Sequence, residues 1–224
     1  MTKPKKFGKI LIFILTILIS NVALAVPTLQ LYMPDAEYNE ETESWLTYSN
    51  PFELQVLGAD QPNRVMYIKN VKLHFAVPEQ YFVSDGYIHI VGEGIDVMIE
   101  SSMMNYGQPE EIDQPHGIYP TYYYSVSLPN LEVDTAGETI YNYNPGEDGQ
   151  DTGDIQYYTV SYDKYFLIHM DLTGIAVWKD NSEHEVFAPY SHDADAAVPE
   201  PATLFLIGFG LIGIRIANKF KLER

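Results

Sequence analysis

The sequence predicts an all-β protein whose central part is an antiparallel β-sandwich, jelly-roll-like or Ig-like. Apolar and polar side chains alternate with a period of two in several short windows. Proline, glycine, asparagine and aspartate separate these windows, as expected for strands joined by turns. Between Val26 and Val198 no window shows a long 3.6-residue period. An N-terminal signal helix and a short C-terminal transmembrane helix are expected to flank the sandwich.

The first 25 residues have the three parts of a secretory signal peptide. Four lysines occupy the first nine positions, and the apolar run Ile10–Ile19 follows. Ala23 and Ala25 then form a small-x-small cleavage pattern. The apolar run is about half the ~20 residues that a membrane-spanning helix needs. We therefore expect signal peptidase to remove residues 1–25 and the mature chain to begin at Val26.

The middle of the chain contains the strand-like windows. In each of them the alternating apolar residues are expected to form one buried face. These sets are Leu29, Leu31 and Met33; Phe52, Leu54 and Val56; Val71, Leu73, Phe75 and Val77; Ile95, Val97 and Ile99; and Phe166, Ile168, Met170 and Leu172. No internal repeat or interior linker interrupts them. We therefore predict one domain over residues 26–190, followed by a polar tether over residues 191–197.

The charge distribution excludes several functions. The whole chain has a net charge of −18, but eight of its 13 basic residues lie at the two ends. Residues 26–198 keep five basic residues against 29 acidic ones. Such a surface repels phosphate backbones, so nucleic acid is not an expected partner. The chain has no cysteine, which excludes disulfides, thiolate metal sites and a cysteine nucleophile.

The segment "NPGEDGQDTGD" is the densest acidic loop, and two interpretations fit it. Its carboxylates on a glycine-rich turn are Glu147, Asp148, Asp151 and Asp154. Hard oxygen ligands suit Ca²⁺, although the spacing is not that of an EF-hand loop. Asparagine, aspartate and glycine are also favoured in ordinary solvated turns. The solvated turn is the favoured interpretation, so we expect no cofactor, and a structural Ca²⁺ is the alternative.

Tyrosines are concentrated in "YPTYYY", which begins at Tyr119. In this strand Tyr122 and Tyr124 share a face with Val126, and Tyr123 lies on the other face. Exposed aromatic rings stack on sugars, so Tyr119 and Tyr123 are a candidate glycan-binding platform. The alternative is that these rings fill the core and pair across strands.

Two other patterns are weak candidates for chemistry. "EVDTAGE" resembles the paired-carboxylate strand of laminarinase-type glucanases, but Ala136 and Gly137 favour a turn after Glu132 and Asp134. The six histidines are scattered without the spacing of a zinc site. His192-Asp193 together with Asp195 could contact a metal, although structural roles are favoured. We expect no catalytic residues and no enzymatic activity.

The end of the chain combines a rigid motif, an apolar run and basic residues. We expect Val198-Pro199-Glu200-Pro201 to be extended, because proline fixes its own φ and disfavours the helical region for the residue before it. Ala202–Ile214 is an uncharged apolar run, short for a permanent membrane span. Basic residues that should stay on the cytoplasmic side follow it: Arg215, Lys219, Lys221 and Arg224.

Residues 198–224 therefore resemble the PEP-CTERM sorting signal of Gram-negative bacteria. The resemblance implies that an integral-membrane transpeptidase, exosortase, acts at the Pro-Glu-Pro motif. It also implies transient anchoring in the inner membrane, followed by transfer to the outer cell surface or extracellular matrix. The basic residues are more widely spaced here than in the family.

The middle of the chain resembles the choice-of-anchor N surface proteins. The resemblance rests on "PTLQLYMPDAEYNEETESWLTYSNPFELQVLGA", "PHGIYPTYYY" and "FAPYSHDAD". It implies one exported unit with a separable anchor. We expect a non-enzymatic structural or adhesive protein in an exopolysaccharide or biofilm context. The alternatives are a carbohydrate- or Ca²⁺-binding adhesive module and, less favoured, a glycan-active enzyme.

Overall fold

Two β-sheets packed face to face form the described part of the protein, which confirms the predicted β-sandwich. The computed structural model describes residues 26–42, 44–61, 63–112, 117–143, 148–189 and 193–198. The predicted signal peptide and its cleavage residues Ala23 and Ala25 lie outside these ranges. So do Pro199, Glu200, Pro201 and the basic residues after the apolar run. Within the described ranges no helix is long and apolar enough to cross a membrane, and Ala202–Ile214 lies beyond them.

The first sheet has the strand order β1-β4-β11-β6-β7, and β10 pairs with the start of β11. Its strands are antiparallel throughout. Their bounds are β1 Leu29–Tyr32, β4 Phe52–Ala59, β6 Tyr87–Gly92, β7 Ile95–Glu100, β10 Glu138–Tyr141 and β11 Gln150–Asp163.

The second sheet has the order β2-β3-β14-β12-β5-β9-β8, and β13 pairs with β12. Its strands are β2 Glu37–Asn39, β3 Ser44–Thr47, β5 Val65–Val77, β8 Asn105–Gly107, β9 Thr121–Ser127, β12 Leu167–Trp178, β13 Glu183–Phe187 and β14 Asp193–Ala197. Strands β14 and β3 are parallel, so this sheet is mixed rather than purely antiparallel as predicted. A single helical turn, α1 Val133–Ala136, connects β9 to β10.

The core lies between the sheets and follows the predicted alternation. Leu54 and Val56 of β4 pack in the same cluster as Leu73 and Phe75 of β5, and all four side chains are buried. Each fully buried Leu or Phe contributes roughly 1.5–3 kcal/mol. The predicted inward sets of β1, β4 and β5 are buried throughout, whereas Ile95 and Val97 of β7 are half-buried.

The predicted tether needs correction, because residues 193–197 are a strand inside the second sheet. Strand β14 pairs with β12 on one side and with β3 on the other. All five of its residues are buried, and Ala194 and Ala196 belong to the core between the sheets. The backbone N–H of Val198 donates to the carbonyl of Phe166 at 2.9 Å. The folded part therefore continues to the first residue of the sorting motif, while residues 190–192 lie outside the described ranges.

Candidate functional site

The outer face of β12 carries polar residues that are buried. Ile168, Met170 and Leu172 point into the core, so His169 and Asp171 point to the opposite face of the second sheet. A residue on an outer face is normally in water, but these two side chains are buried. Their burial marks this face as a second, polar interior.

Strand β14 adds two carboxylates to the same face. Ala194 and Ala196 are core residues, so Asp193 and Asp195 face outward beside β12, where His169 is paired with Asp195. The four polar side chains of the cluster are almost inaccessible to solvent: His169 is 5% exposed, Asp171 6%, Asp193 2% and Asp195 7%. We call these four residues the His169 cluster.

The ring of His169 lies between three carboxylates. Its Nδ1 is 2.7 Å from Asp195 Oδ1 and its Nε2 is 3.2 Å from Asp171 Oδ1. Asp193 Oδ2 is 3.8 Å from Nε2, beyond hydrogen-bonding distance. The second oxygen of Asp195 accepts a hydrogen bond from Ser44 of β3. The cluster thus joins three neighbouring strands, β3, β14 and β12.

Electrostatics favour the charged imidazole. Burial is the largest effect and lowers the pKa of His169, but the carboxylates of Asp171 and Asp195 outweigh it. The pKa of His169 is therefore raised well above its ordinary value. In the absence of another cation, the ring carries protons on both nitrogens and donates to both of these carboxylates.

Tyr119 contacts the cluster from the segment before β9. Its hydroxyl donates to Asp171 Oδ2 at 2.7 Å. Burial, followed by the charge of Asp171, raises the pKa of Tyr119 far above its ordinary value, so the hydroxyl keeps its proton. Next to this segment Lys72 forms an ion pair with Glu111. These contacts connect the segment before β9 to the outer face of the second sheet.

His74 extends the polar interior onto β5. Its Nδ1 is 2.8 Å from the hydroxyl of Ser125, and its Nε2 is 2.9 Å from that of Thr173. Burial lowers the pKa of His74 to about 4. The two buried histidines of this face therefore differ in charge at neutral pH: His74 is neutral, and His169 is held charged by carboxylates.

The predicted glycan platform lies at the edge of this site. The rings of Tyr119 and Tyr123 are 6.5 Å apart and meet edge to face. Both are half-buried, and the hydroxyl of Tyr119 is bound to Asp171. Sugar binding by this pair stays a prediction.

The described part of the acidic loop does not bring its carboxylates together. Asp151 and Asp154 are three residues apart on β11, so they point to opposite faces. Asp154 accepts the backbone N–H of Glu132 at 2.7 Å, and Asp151 accepts that of Thr152 at 2.8 Å. Asp148 is exposed and Glu147 lies outside the described residues. Calcium binding here stays a prediction.

The glucanase-like pair is not on a strand. Glu132 precedes α1 and Asp134 lies within it, while Gly137 ends the turn with φ of +71°. Glu138, at the start of β10, accepts the backbone N–H of Ile155. The strand that would aim two carboxylates from one face is therefore absent at this position.

Sequence reasoning found half of the His169 cluster. It paired Asp193 and Asp195 with His192 as metal contacts, and His192 lies outside the described residues. It missed His169 and Asp171, which look like ordinary outward polar residues of an alternating strand. The sequence did contain one clue. The residues after "LIHMDL", "TGIAV", are nearly apolar on both faces of the strand, which indicates that the outer face of this strand is also covered.

These features define an acidic β-sandwich with a buried polar cluster on the neighbouring strands β12 and β14. Residues 197–219 match the family model of the PEP-CTERM protein-sorting motif, so the chain carries this sorting signal directly after β14. The motif implies export and exosortase-dependent sorting to the surface of a Gram-negative cell. A comparison with curated proteins gives no match.

Solved structures show only distant likeness. The chain is similar to AvmM, which catalyses macrocyclization in alchivemycin A biosynthesis (8% identity, 77% of this chain and 89% of that one, TM-score 0.35). It is also similar to the collagen-binding subdomain of the Enterococcus faecalis surface protein ACE (4%, 67% and 90%, 0.21). A third is the collagen-binding domain of Erysipelothrix rhusiopathiae RspB (7%, 77% and 49%, 0.22). Likeness at this level carries no conclusion about function.

Proposed function

We propose that the protein is a non-enzymatic component of the cell surface or extracellular matrix, processed by an exosortase at Pro199-Glu200-Pro201. The observation that carries the proposal is the sorting motif at residues 197–219, which begins where the folded sandwich ends. In this proposal the sandwich is the exported cargo. Signal peptidase and exosortase are its processing partners, and the apolar segment Ala202–Ile214 is a transient anchor in the inner membrane.

The acidic surface supports a matrix role. Three of the five basic residues between Val26 and Val198 are already in ion pairs: Lys69 with Glu183, Lys72 with Glu111 and Lys164 with Asp85. Most of the 29 carboxylates in that range therefore have no lysine or arginine to balance them. Such a surface repels other copies and acidic polymers but attracts divalent cations. We propose that divalent cations bridge the protein to an acidic exopolysaccharide of a biofilm.

Replacement of the two motif prolines tests the sorting step. In a Gram-negative host with an exosortase, Pro199→Ala/Pro201→Ala is expected to leave a longer, membrane-retained form. Pro34→Ala is a matched control, because Pro34 is an exposed proline of the sandwich. Equal size and equal surface release of the double variant and the wild type would contradict the proposal.

Retention on an immobilised acidic polysaccharide tests the matrix role. Retention is expected with millimolar Ca²⁺ or Mg²⁺ and is expected to disappear in chelator. The absence of retention under both conditions contradicts cation bridging. Assays on a broad panel of polysaccharides test the proposal that the protein is not an enzyme. Release of reducing ends by the wild type, abolished in Glu132→Gln, would favour the glycan-active alternative instead.

A carbohydrate-binding adhesive module is the second candidate, and exposed aromatic rings favour it. Tyr141 is 51% exposed and Tyr157 45%, both on the first sheet. Rings this open can stack on sugars, whereas the Tyr119 hydroxyl is occupied by Asp171. Loss of polysaccharide retention in Tyr157→Ala but not in Tyr123→Ala would support this candidate and move the platform to the first sheet. Calcium-dependent thermal stabilisation that is lost in Asp148→Ala/Asp151→Ala would support the calcium-binding form.

A further inference from the structure

The donor atoms of the His169 cluster already lie at nearly the separations that a bound metal ion requires. Neighbouring ligands held at about 2.0–2.2 Å from a tetrahedral or octahedral ion are roughly 2.8–3.6 Å from one another. His169 Nε2 is 3.2 Å from Asp171 Oδ1 and 3.8 Å from Asp193 Oδ2. One ligand atom from each of these three residues lies within 4.8 Å of the others. A closer approach of the Asp193 carboxylate to the other two ligand atoms would complete a three-ligand site.

The orientation of the His169 ring suits a metal ligand. A histidine that binds a metal through one nitrogen usually donates its other N–H to a carboxylate, which fixes the tautomer and the ring plane. Asp195 occupies this position at 2.7 Å from Nδ1, and Ser44 in turn donates to Asp195. The neutral ring with its proton on Nδ1 then directs the lone pair of Nε2 toward Asp171 and Asp193.

The charge of the cluster also favours a dication. The carboxylates of Asp171, Asp193 and Asp195 surround one imidazole ring, and all four side chains are buried. Buried charges are costly unless they are paired or coordinate a metal. A dication bound between the ring and the carboxylates would provide that coordination. It also replaces the Nε2 proton in the 3.2 Å contact with Asp171.

We propose that His169, Asp171 and Asp193 bind one divalent transition-metal ion, with Asp195 as the residue that positions His169. One imidazole nitrogen and two carboxylate oxygens form a donor set typical of Zn²⁺ and related first-row ions. Ca²⁺ takes oxygen ligands, so this site is distinct from the acidic loop at residues 147–154. The proposal is independent of the sorting function and of the matrix role.

The position of the site indicates a structural role for the ion. His169 and Asp171 are on β12, and Asp193 is on β14. The two strands are joined by four residue pairs, from Leu167–Ala197 to Met170–Ala194. A metal bridge would fasten β14 to the sheet on the side opposite its core alanines. The last strand before the sorting motif would then resist fraying during membrane anchoring and processing.

Metal content and thermal stability test the proposal directly. The full-length protein, solubilised in mild detergent, is stripped with a chelator, dialysed and titrated separately with ZnCl₂, MnCl₂ and CaCl₂. We expect about one tightly bound zinc per chain by elemental analysis and a rise in melting temperature with Zn²⁺. CaCl₂ at the same concentration is expected to give less than a tenth of that binding. Absence of both zinc retention and a melting shift overturns the proposal.

Isosteric variants separate binding from packing. Asp193→Asn removes a ligand charge with little change of shape and is expected to weaken Zn²⁺ at least tenfold. Asp195→Asn changes only the positioning residue and is expected to keep the stoichiometry while weakening affinity about 10–100-fold. His74→Gln is the matched control, because His74 is a buried histidine of the same face with different partners. Equal zinc affinity in the wild type and Asp193→Asn overturns the assignment.

Bound Co²⁺ gives a spectroscopic readout of the ligand set that does not depend on melting temperature. Bound Co²⁺ in a four- or five-coordinate site with a nitrogen ligand is expected to absorb in the visible region, and His169→Gln is expected to shift that band. An unchanged band in folded His169→Gln contradicts coordination by this ring. If His169→Gln does not fold, the same comparison is made with Asp193→Asn, which has the same two outcomes.

Discussion

The assignment of β14 to the sandwich can be tested by placing a carboxylate at Ala194. The side chain of Ala194 is fully buried and belongs to the core cluster between the sheets. In a flexible tether, aspartate at this position would be harmless. In a core strand, Ala194→Asp places a carboxyl group among apolar side chains, where it avoids the larger cost of ionisation only by staying protonated.

The size of the effect follows from the pKa. Keeping a carboxyl of ordinary pKa 3.9 protonated at pH 7 costs about 4 kcal/mol, since one pKa unit corresponds to about 1.4 kcal/mol. That is a large share of the roughly 5–15 kcal/mol that stabilises a typical domain. At about 2–4 °C per kcal/mol for a chain of this size, the melting temperature is expected to fall by roughly 8–16 °C.

The pH dependence gives this prediction a sign. The buried carboxyl has a raised pKa in the folded state, so the folded state of the variant binds more protons than the unfolded state. The ionisation part of the deficit is therefore fully present at pH 7 and absent below about pH 4, whereas the cost of fitting a larger polar group into the core is present at both pH values. Thermal unfolding followed by circular dichroism at both pH values measures it.

A matched substitution provides the control. Ser127→Asp adds the same group to an exposed position of β9 in the same sheet, and is expected to change stability by less than about 0.5 kcal/mol. If Ala194→Asp melts within 2 °C of Ser127→Asp at pH 7, residues 193–197 are not part of the core. The tether interpretation would then be correct.

Three further substitutions test other parts of the structure. Burial lowers the pKa of His74 to about 4, so the folded state binds fewer protons and stability is lost as pH falls from about 6.5 to 4. His74→Gln should remove about 3 kcal/mol of that loss, measured by urea titrations at several pH values. The same dependence of stability on pH in both proteins would contradict this. A Cβ on Gly153 would lie 1.9 Å from the carbonyl oxygen of Gly58, so Gly153→Ala should lower the free energy of unfolding by about 3 kcal/mol or more. Gly94 has φ of +79° and open space around it, so Gly94→Ala should lower it by only about 1–2 kcal/mol. Equal melting temperatures of the two variants would refute the steric argument. Ser101 Oγ lies 2.6 Å from both the Val83 carbonyl and the Tyr165 hydroxyl, so Ser101→Ala should lower the free energy of unfolding by about 1–3 kcal/mol. Ser102 is exposed, and Ser102→Ala should change it very little. A larger loss of stability in Ser102→Ala than in Ser101→Ala would refute this prediction.

The inward faces of the strands could be predicted from the sequence because a half-buried strand records its core in alternate residues. Leu29 and Leu31, or Leu54 and Val56, need no partner to be recognised. The outer face of β12 has no such pattern, because a polar residue at an outward position gives the same alternation whether it is exposed to water or covered by another segment. Only the fold shows that Tyr119, 52 residues away along the chain, contacts Asp171.

Strand β14 was missed for a related reason. "DADAA" has no β-branched or aromatic residue, so its intrinsic preference for a strand is low. Tertiary pairing overrides that preference, through β12 on one side and the parallel β3 on the other. The contact from Ser44 to Asp195 spans 151 positions, a distance at which pairing cannot be read from a local pattern. The sorting motif, in contrast, is a linear signal and could be identified from a few adjacent residues.

The intact mass of the protein recovered from the cell surface tests whether the chain is exported and then cleaved at its sorting motif. The protein is expressed with its own signals in a Gram-negative host that encodes an exosortase, and surface material is analysed by mass spectrometry. We expect a chain that begins at Val26 and lacks the apolar segment and the basic residues that follow Pro201, with the sandwich folded. Recovery of surface protein that still contains Ala202–Ile214 and Arg224 would contradict it.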